Sequence, residues 1–100
     1  MKTFLQLVVL VTLTISSFES VFADAAAGKA KSGICMACHG VSGISNNDMW
    51  PNLAGQKRGY LVKQIKAFRD GGRVDIMMAP MVKALSDEDI ENLAAYYSEL

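Results

Sequence analysis

Cys35 and Cys38 are the only cysteines of this 100-residue chain, and the only histidine, His39, follows them directly in the run Cys35-Met36-Ala37-Cys38-His39. Two thiols and one imidazole in five residues invite several chemistries. A disulfide would close a very small loop and leave His39 without a role. A thioredoxin-like redox pair calls for a strand-helix-strand context that the flanking sequence lacks. A structural zinc site needs four Cys or His ligands, and the chain holds three. The spacing does suit covalent attachment of a c-type haem, in which each thiol adds to one vinyl group and the two-residue gap matches the separation of the vinyls along one porphyrin edge. His39 then lies under the iron.

A second strong axial ligand cannot be another imidazole, so methionine is the natural candidate. Met77, Met78 and Met81 cluster in one stretch far along the chain from His39. Methionine is more commonly a flexible core filler. The residues alone leave the choice among the three open.

Elements must be found that carry these groups to one place. The first residues have the grammar of a secretory signal peptide: Lys2, an apolar run from Phe4 to Ile15, then small residues ending Val21-Phe22-Ala23. That run is shorter than the roughly 20 residues a spanning helix needs. Residues 1–23 are therefore expected to be a cleaved leader and residues 24–100 the working domain; an uncleaved anchor is the alternative. The working part keeps nine basic and nine acidic residues, a neutrality that argues against nucleic acid as a partner. A domain so short sits near the size at which a core needs a staple, and a haem would be one.

Helical spacing of Ala27, Ala30, Lys31 and Ile34 predicts a first helix over 24–35 that delivers Cys35 near its end. Gly40 to Gly55, rich in Gly, Ser and Asn, reads as a loop. Leu61, Val62, Ile65 and Phe68 recur at helical spacing over 56–70, and Gly71-Gly72 ends that helix. Arg73 to Leu85, with Pro80 and no clean period, reads as a second loop. Ser86 opens the last helix, with Asp87, Glu88 and Asp89 where the helix dipole favours negative charge and Ile90, Leu93, Ala94 and Tyr97 on one face. No stretch alternates as a strand would. Six basic residues from Lys57 to Arg73 face only Asp70 in that segment, while acids crowd the start of the last helix; both are read as ordinary solvated faces rather than docking sites.

The chain resembles the class I c-type cytochromes, in particular small bacterial periplasmic monohaem members and the single domains of their two-haem relatives. The resemblance rests on Cys35 to His39, on Trp50-Pro51-Asn52-Leu53-Ala54-Gly55-Gln56, on Tyr60 to Gln64, and on Met77-Met78-Ala79-Pro80-Met81 followed by Leu85-Ser86-Asp87. It implies an all-α fold, with three main helices and irregular loops wrapped around one covalently attached haem. It also implies that the Pro51 carbonyl meets the proximal imidazole, that Leu53 packs on the haem face, and that Met78 rather than Met77 or Met81 ligates the iron with His39. The family crosses its first and last helices at small and aromatic residues, here Gly28 or Ala27 against Tyr96 or Tyr97.

The implied function is periplasmic electron transfer, one electron at a time, between donor and acceptor redox proteins, by a monomer that is not an enzyme and spans no membrane once its leader is removed. Alternatives are a fixed haem subunit of a larger redox complex, or a peroxidase or gas sensor with an open sixth position. The last needs polar catalytic groups on the distal side, where the sequence offers thioethers and a proline.

Overall fold

A computed structural model describes residues 8–14 and 22–100. Residues 8–14 form neither helix nor strand and leave Val8 to Val11 and Leu13 exposed. Residues 1–7 and 15–21 of the expected leader lie outside the described residues. From Ala25 onward the chain is helical, in the order α1 (Ala25–Lys31), α2 (Gly33–His39), α3 (Arg58–Asp70), α4 (Met78–Val82) and α5 (Asp87–Ser98), and the described residues contain no strand.

The expected single first helix is two. Ser32, fully buried, donates its hydroxyl to the Lys29 carbonyl at 2.7 Å, and its own N–H turns back to the same oxygen. A serine that bonds backward in this way competes with helix propagation, and Gly33 gives the following turn little help. The Ser32 carbonyl then accepts from the Cys35 N–H at 2.9 Å, where α2 begins. Cys35 consequently lies inside a helix of its own rather than at the end of the first.

α3 begins two residues later than its spacing predicts and stops where Gly71 takes a left-handed conformation, φ 88°. The second expected loop contains a helical turn, α4. Pro80 is tolerated there because it occupies the first turn, where its missing N–H has no helical partner to lose. α5 carries a full capping box: the Asp89 N–H donates to Ser86 Oγ and the Ser86 N–H to the Asp89 carboxylate, both at 3.0 Å.

α5 is the hub, packing against α1 on one side and α3 on the other. Its inner stripe, Ile90, Leu93, Ala94 and Tyr97, is buried with Leu61, Val82 and Leu85. Full burial of a side chain such as Ile90 or Leu93 contributes about 2 kcal/mol. Charges stitch the same elements together: Arg58 meets Glu91 at 3.3 Å, and Arg69 meets Asp87 at 2.7 Å while donating to the Leu85 carbonyl at 3.1 Å. The basic face of α3 and acids of α5 thus partly satisfy each other.

Candidate functional site

Cys35, Cys38 and His39 stand at i, i+3 and i+4 of α2, so both thiols and the imidazole project from one helix face. That face forms a wall of a cavity of about 560 Å³. The opposite element contributions follow the same arithmetic. Leu61, Gln64, Ile65 and Phe68 line it from α3, Met78, Met81 and Val82 from α4, and Leu93 and Tyr97 from α5.

The loop after α2 supplies the remaining wall. Gly40, φ 89°, turns the chain away from α2, and the Gly43 carbonyl gathers the N–H groups of Leu53 and Ala54 at 2.8 and 3.0 Å. This clasp sets the Pro51 carbonyl against the buried His39. Nδ1 of His39 donates to the Pro51 oxygen at 2.7 Å, since that oxygen can only accept, which leaves Nε2 as the ring's free lone pair. Leu53 is half-buried on the core and faces the cavity, and Trp50 lies beside it on the same wall.

The three methionines of the distal segment are not equivalent. Met77 and Met81 are 54% and 52% exposed, whereas Met78 is half-buried and packs on the core. Asp75 holds the segment in shape, its Oδ1 accepting from the N–H groups of Met77 and Met78 at 2.8 and 2.9 Å. Those two bonds, that of Met78 first, hold the Asp75 carboxyl below the usual carboxylate range.

Arg73 is the cation on the cavity lining. Its guanidinium sits 4.5 Å from the Phe68 ring centroid and donates to Gln64 Oε1 at 2.8 Å. Deeper in, burial raises the pKa of the Cys35 thiol, an effect that the neighbouring Tyr97 hydroxyl partly offsets. Burial likewise pushes the Tyr97 hydroxyl well above the usual phenol range, reinforced by the charge of Cys35.

All six residues singled out from the sequence, Cys35, Cys38, His39, Pro51, Leu53 and Met78, meet at this one cavity. Trp50, Gln64, Arg73 and Tyr97 also line it and were not assigned to it from the sequence. Tyr97 could have been found, because it extends the apolar stripe of α5 toward the elements carrying the cysteines. Arg73 carried no signal: it follows two glycines in an aperiodic stretch, and its position depends on where the chain turns.

The helix crossing differs from expectation. Gly28 rather than Ala27 makes the close approach, and it meets the backbone of Asn92 and Leu93 rather than a tyrosine ring. Asn92, also unanticipated, is buried and accepts the Asp24 N–H on Oδ1 at 2.8 Å.

The profile of the family described as Cytochrome c matches residues 25–100. Cytochrome c-554(548) of Halomonas halodenitrificans is 53% identical over 78 residues, covering 75% of this chain and 94% of that protein. Cytochrome c4 of Pseudomonas aeruginosa is 42% identical over 89 residues, 89% of this chain but 44% of its own length. The crystal structure of reduced recombinant cytochrome c4 from Pseudomonas stutzeri superposes with a TM-score of 0.74 at 42% identity, covering 77% of this chain and 45% of that one. The chain therefore spans nearly all of the first relative and less than half of the cytochrome c4 chains.

Proposed function

The chain belongs to the cytochrome c family, and from that premise we propose that it carries single electrons on a haem c held by Cys35 and Cys38, with His39 and Met78 as axial ligands. The observation that carries the reading is the shared face of α2, which turns two thiols and one imidazole into the same cavity that α4 supplies with a half-buried thioether. The cavity suits a large planar apolar group in size and lining. When bound, the haem supplies a one-electron ferric/ferrous couple.

The residues of the chain do the rest. Cys35 and Cys38 fix position and face through two bonds three residues apart. The Pro51 carbonyl fixes the tautomer and plane of His39 and makes its Nε2 a better donor. Asp75 ties down the backbone of Met78, so that its thioether is presented by a set loop rather than a wandering one. Leu53, Leu61, Phe68, Val82 and Leu93 give the cavity an apolar lining, and low polarity favours the less charged, reduced form. The charged groups on the lining are engaged structurally, Asp75 by the N–H groups of Met77 and Met78 and Arg73 by Gln64 and the Phe68 ring, an arrangement suited to a carrier rather than to acid–base catalysis.

The leader grammar of residues 1–23 supports export, cleavage after Ala23 and work in the periplasm; donor and acceptor redox proteins as partners and a monomer as the working state belong to the same proposal. Among the described residues, no helix is long and apolar enough to cross a membrane.

The deciding experiment is expression with haem-attachment machinery, followed by mass and visible spectra. The secreted product should begin at Asp24 and weigh one haem more than its polypeptide. Met78→Ala should keep the haem and lose the thioether-to-ferric-iron charge-transfer band, while Met77→Ala and Met81→Ala keep both. A bare polypeptide mass refutes the attachment; an unchanged band in Met78→Ala moves the ligand.

A further inference from the structure

The Tyr97 hydroxyl is a buried polar group without a hydrogen-bond partner among the described residues. The side chain is 2% exposed and lines the cavity together with Cys35. Its ring has little freedom to move the hydroxyl elsewhere. The Gly43 backbone lies so close that a Cβ there would fall 3.1 Å from Tyr97 Cδ1, and the Tyr96 ring sits at 5.0 Å on another side. The backbone is pinned as well, the Gly55 N–H donating to the Tyr97 carbonyl at 2.9 Å.

Such a hydroxyl is expensive to leave unpaired in dry surroundings. Its polar neighbours are the side chains of Cys35 and Ser32. Ser32 already spends its one hydroxyl hydrogen on the Lys29 carbonyl, so toward Tyr97 it can only accept. Cys35 changes character on haem attachment. The S–H adds across a vinyl double bond, sulfur to one carbon and hydrogen to the other, with no oxidant or reductant required. The thioether left behind has no hydrogen to give and can only accept.

We infer that the Tyr97 hydroxyl donates a hydrogen bond to the Cys35 sulfur of the haem-loaded protein and through it raises the reduction potential, a positioning and tuning role that rests on the attachment proposed above. A donor to that sulfur withdraws electron density from the attached ring and stabilises the electron-rich reduced state. The contact also gives the buried hydroxyl its missing partner.

Tyr97→Phe, in the full chain matured with haem, keeps the ring and removes only the donor. Its reduction potential should fall below wild type, and the carbon–sulfur modes in its resonance Raman spectrum should shift. Ser32→Ala should leave both readings at their wild-type values. Site-specific replacement of Tyr97 by 3-fluorotyrosine, a stronger donor of nearly the same shape, should raise the potential and so tests the idea without relying on the folding of the phenylalanine variant. A haem-loaded Tyr97→Phe with wild-type potential and spectrum overturns this inference alone. So does a Ser32→Ala variant that reproduces the Tyr97→Phe changes, since the acceptor is then the serine oxygen. A wild-type chain without haem mass removes the attachment itself.

Discussion

Gly28 of α1 lies directly against the Asn92 carbonyl of α5, so close that a Cβ on residue 28 would overlap the carbonyl oxygen and carbon. The two backbones touch because nothing stands between them, and neither atom belongs to a flexible side chain that could yield. Gly28→Ala must push α1 off α5, with a cost of about 3 kcal/mol, at the upper end for overpacking a tight contact. Urea unfolding of the matured protein should show the loss, with the haem still attached.

Asn92 reinforces the same crossing by accepting the Asp24 N–H. Asn92→Ala leaves that donor, which becomes the α-ammonium group once the chain is cleaved after Ala23, without its partner and should cost about 1–2 kcal/mol. Hydrogen exchange should speed up at the start of α1 more than in α3, which Asn92 does not touch through this bond.

Asp75 is the cap of the methionine-bearing turn. Asp75→Ala releases the Met77 and Met78 N–H groups and should cost about 1 kcal/mol, the usual worth of a side-chain cap. The charge-transfer band of the ferric protein should disappear at a lower urea concentration than in wild type, ahead of global unfolding.

The capping box at the head of α5 predicts acid sensitivity. Bonds from Ser86, its backbone N–H first, hold the Asp89 carboxyl below its ordinary value of 3.8. A carboxyl depressed in the folded state adds stability that is complete above its unfolded value and disappears as pH falls through the lower folded value. Acid unfolding below about pH 4 should therefore be shallower in Asp89→Ala, which has no such proton to gain. A slope equal to wild type would exclude Asp89 as a contributor.

Short-range features were the ones legible in the residues. Gly71 could be placed as the stop of α3 because only a left-handed residue closes the helix there, and Ser86 as the start of α5 because its hydroxyl and the following acids satisfy a helix head locally. The break at Ser32 was not legible, since serine interrupts a helix only when burial makes it bond backward, and burial is set by α5. The turn at α4 escaped for a similar reason: its capping residue, Asp75, lies in an aperiodic run, and the turn gains its stability by laying Val82 on the core.

By itself the sequence determined the chemistry on offer, because Cys35, Cys38 and His39 are close enough in the chain for their spacing to be fixed by covalent geometry and one helical turn. Tertiary structure decided what that chemistry works with. It selected Met78 as the half-buried thioether over Met77 and Met81, brought Arg73 to the cavity, and set the Tyr97 hydroxyl beside Cys35. Those choices depend on how α3, α4 and α5 pack, and packing is a property of surfaces that meet only after the chain has folded.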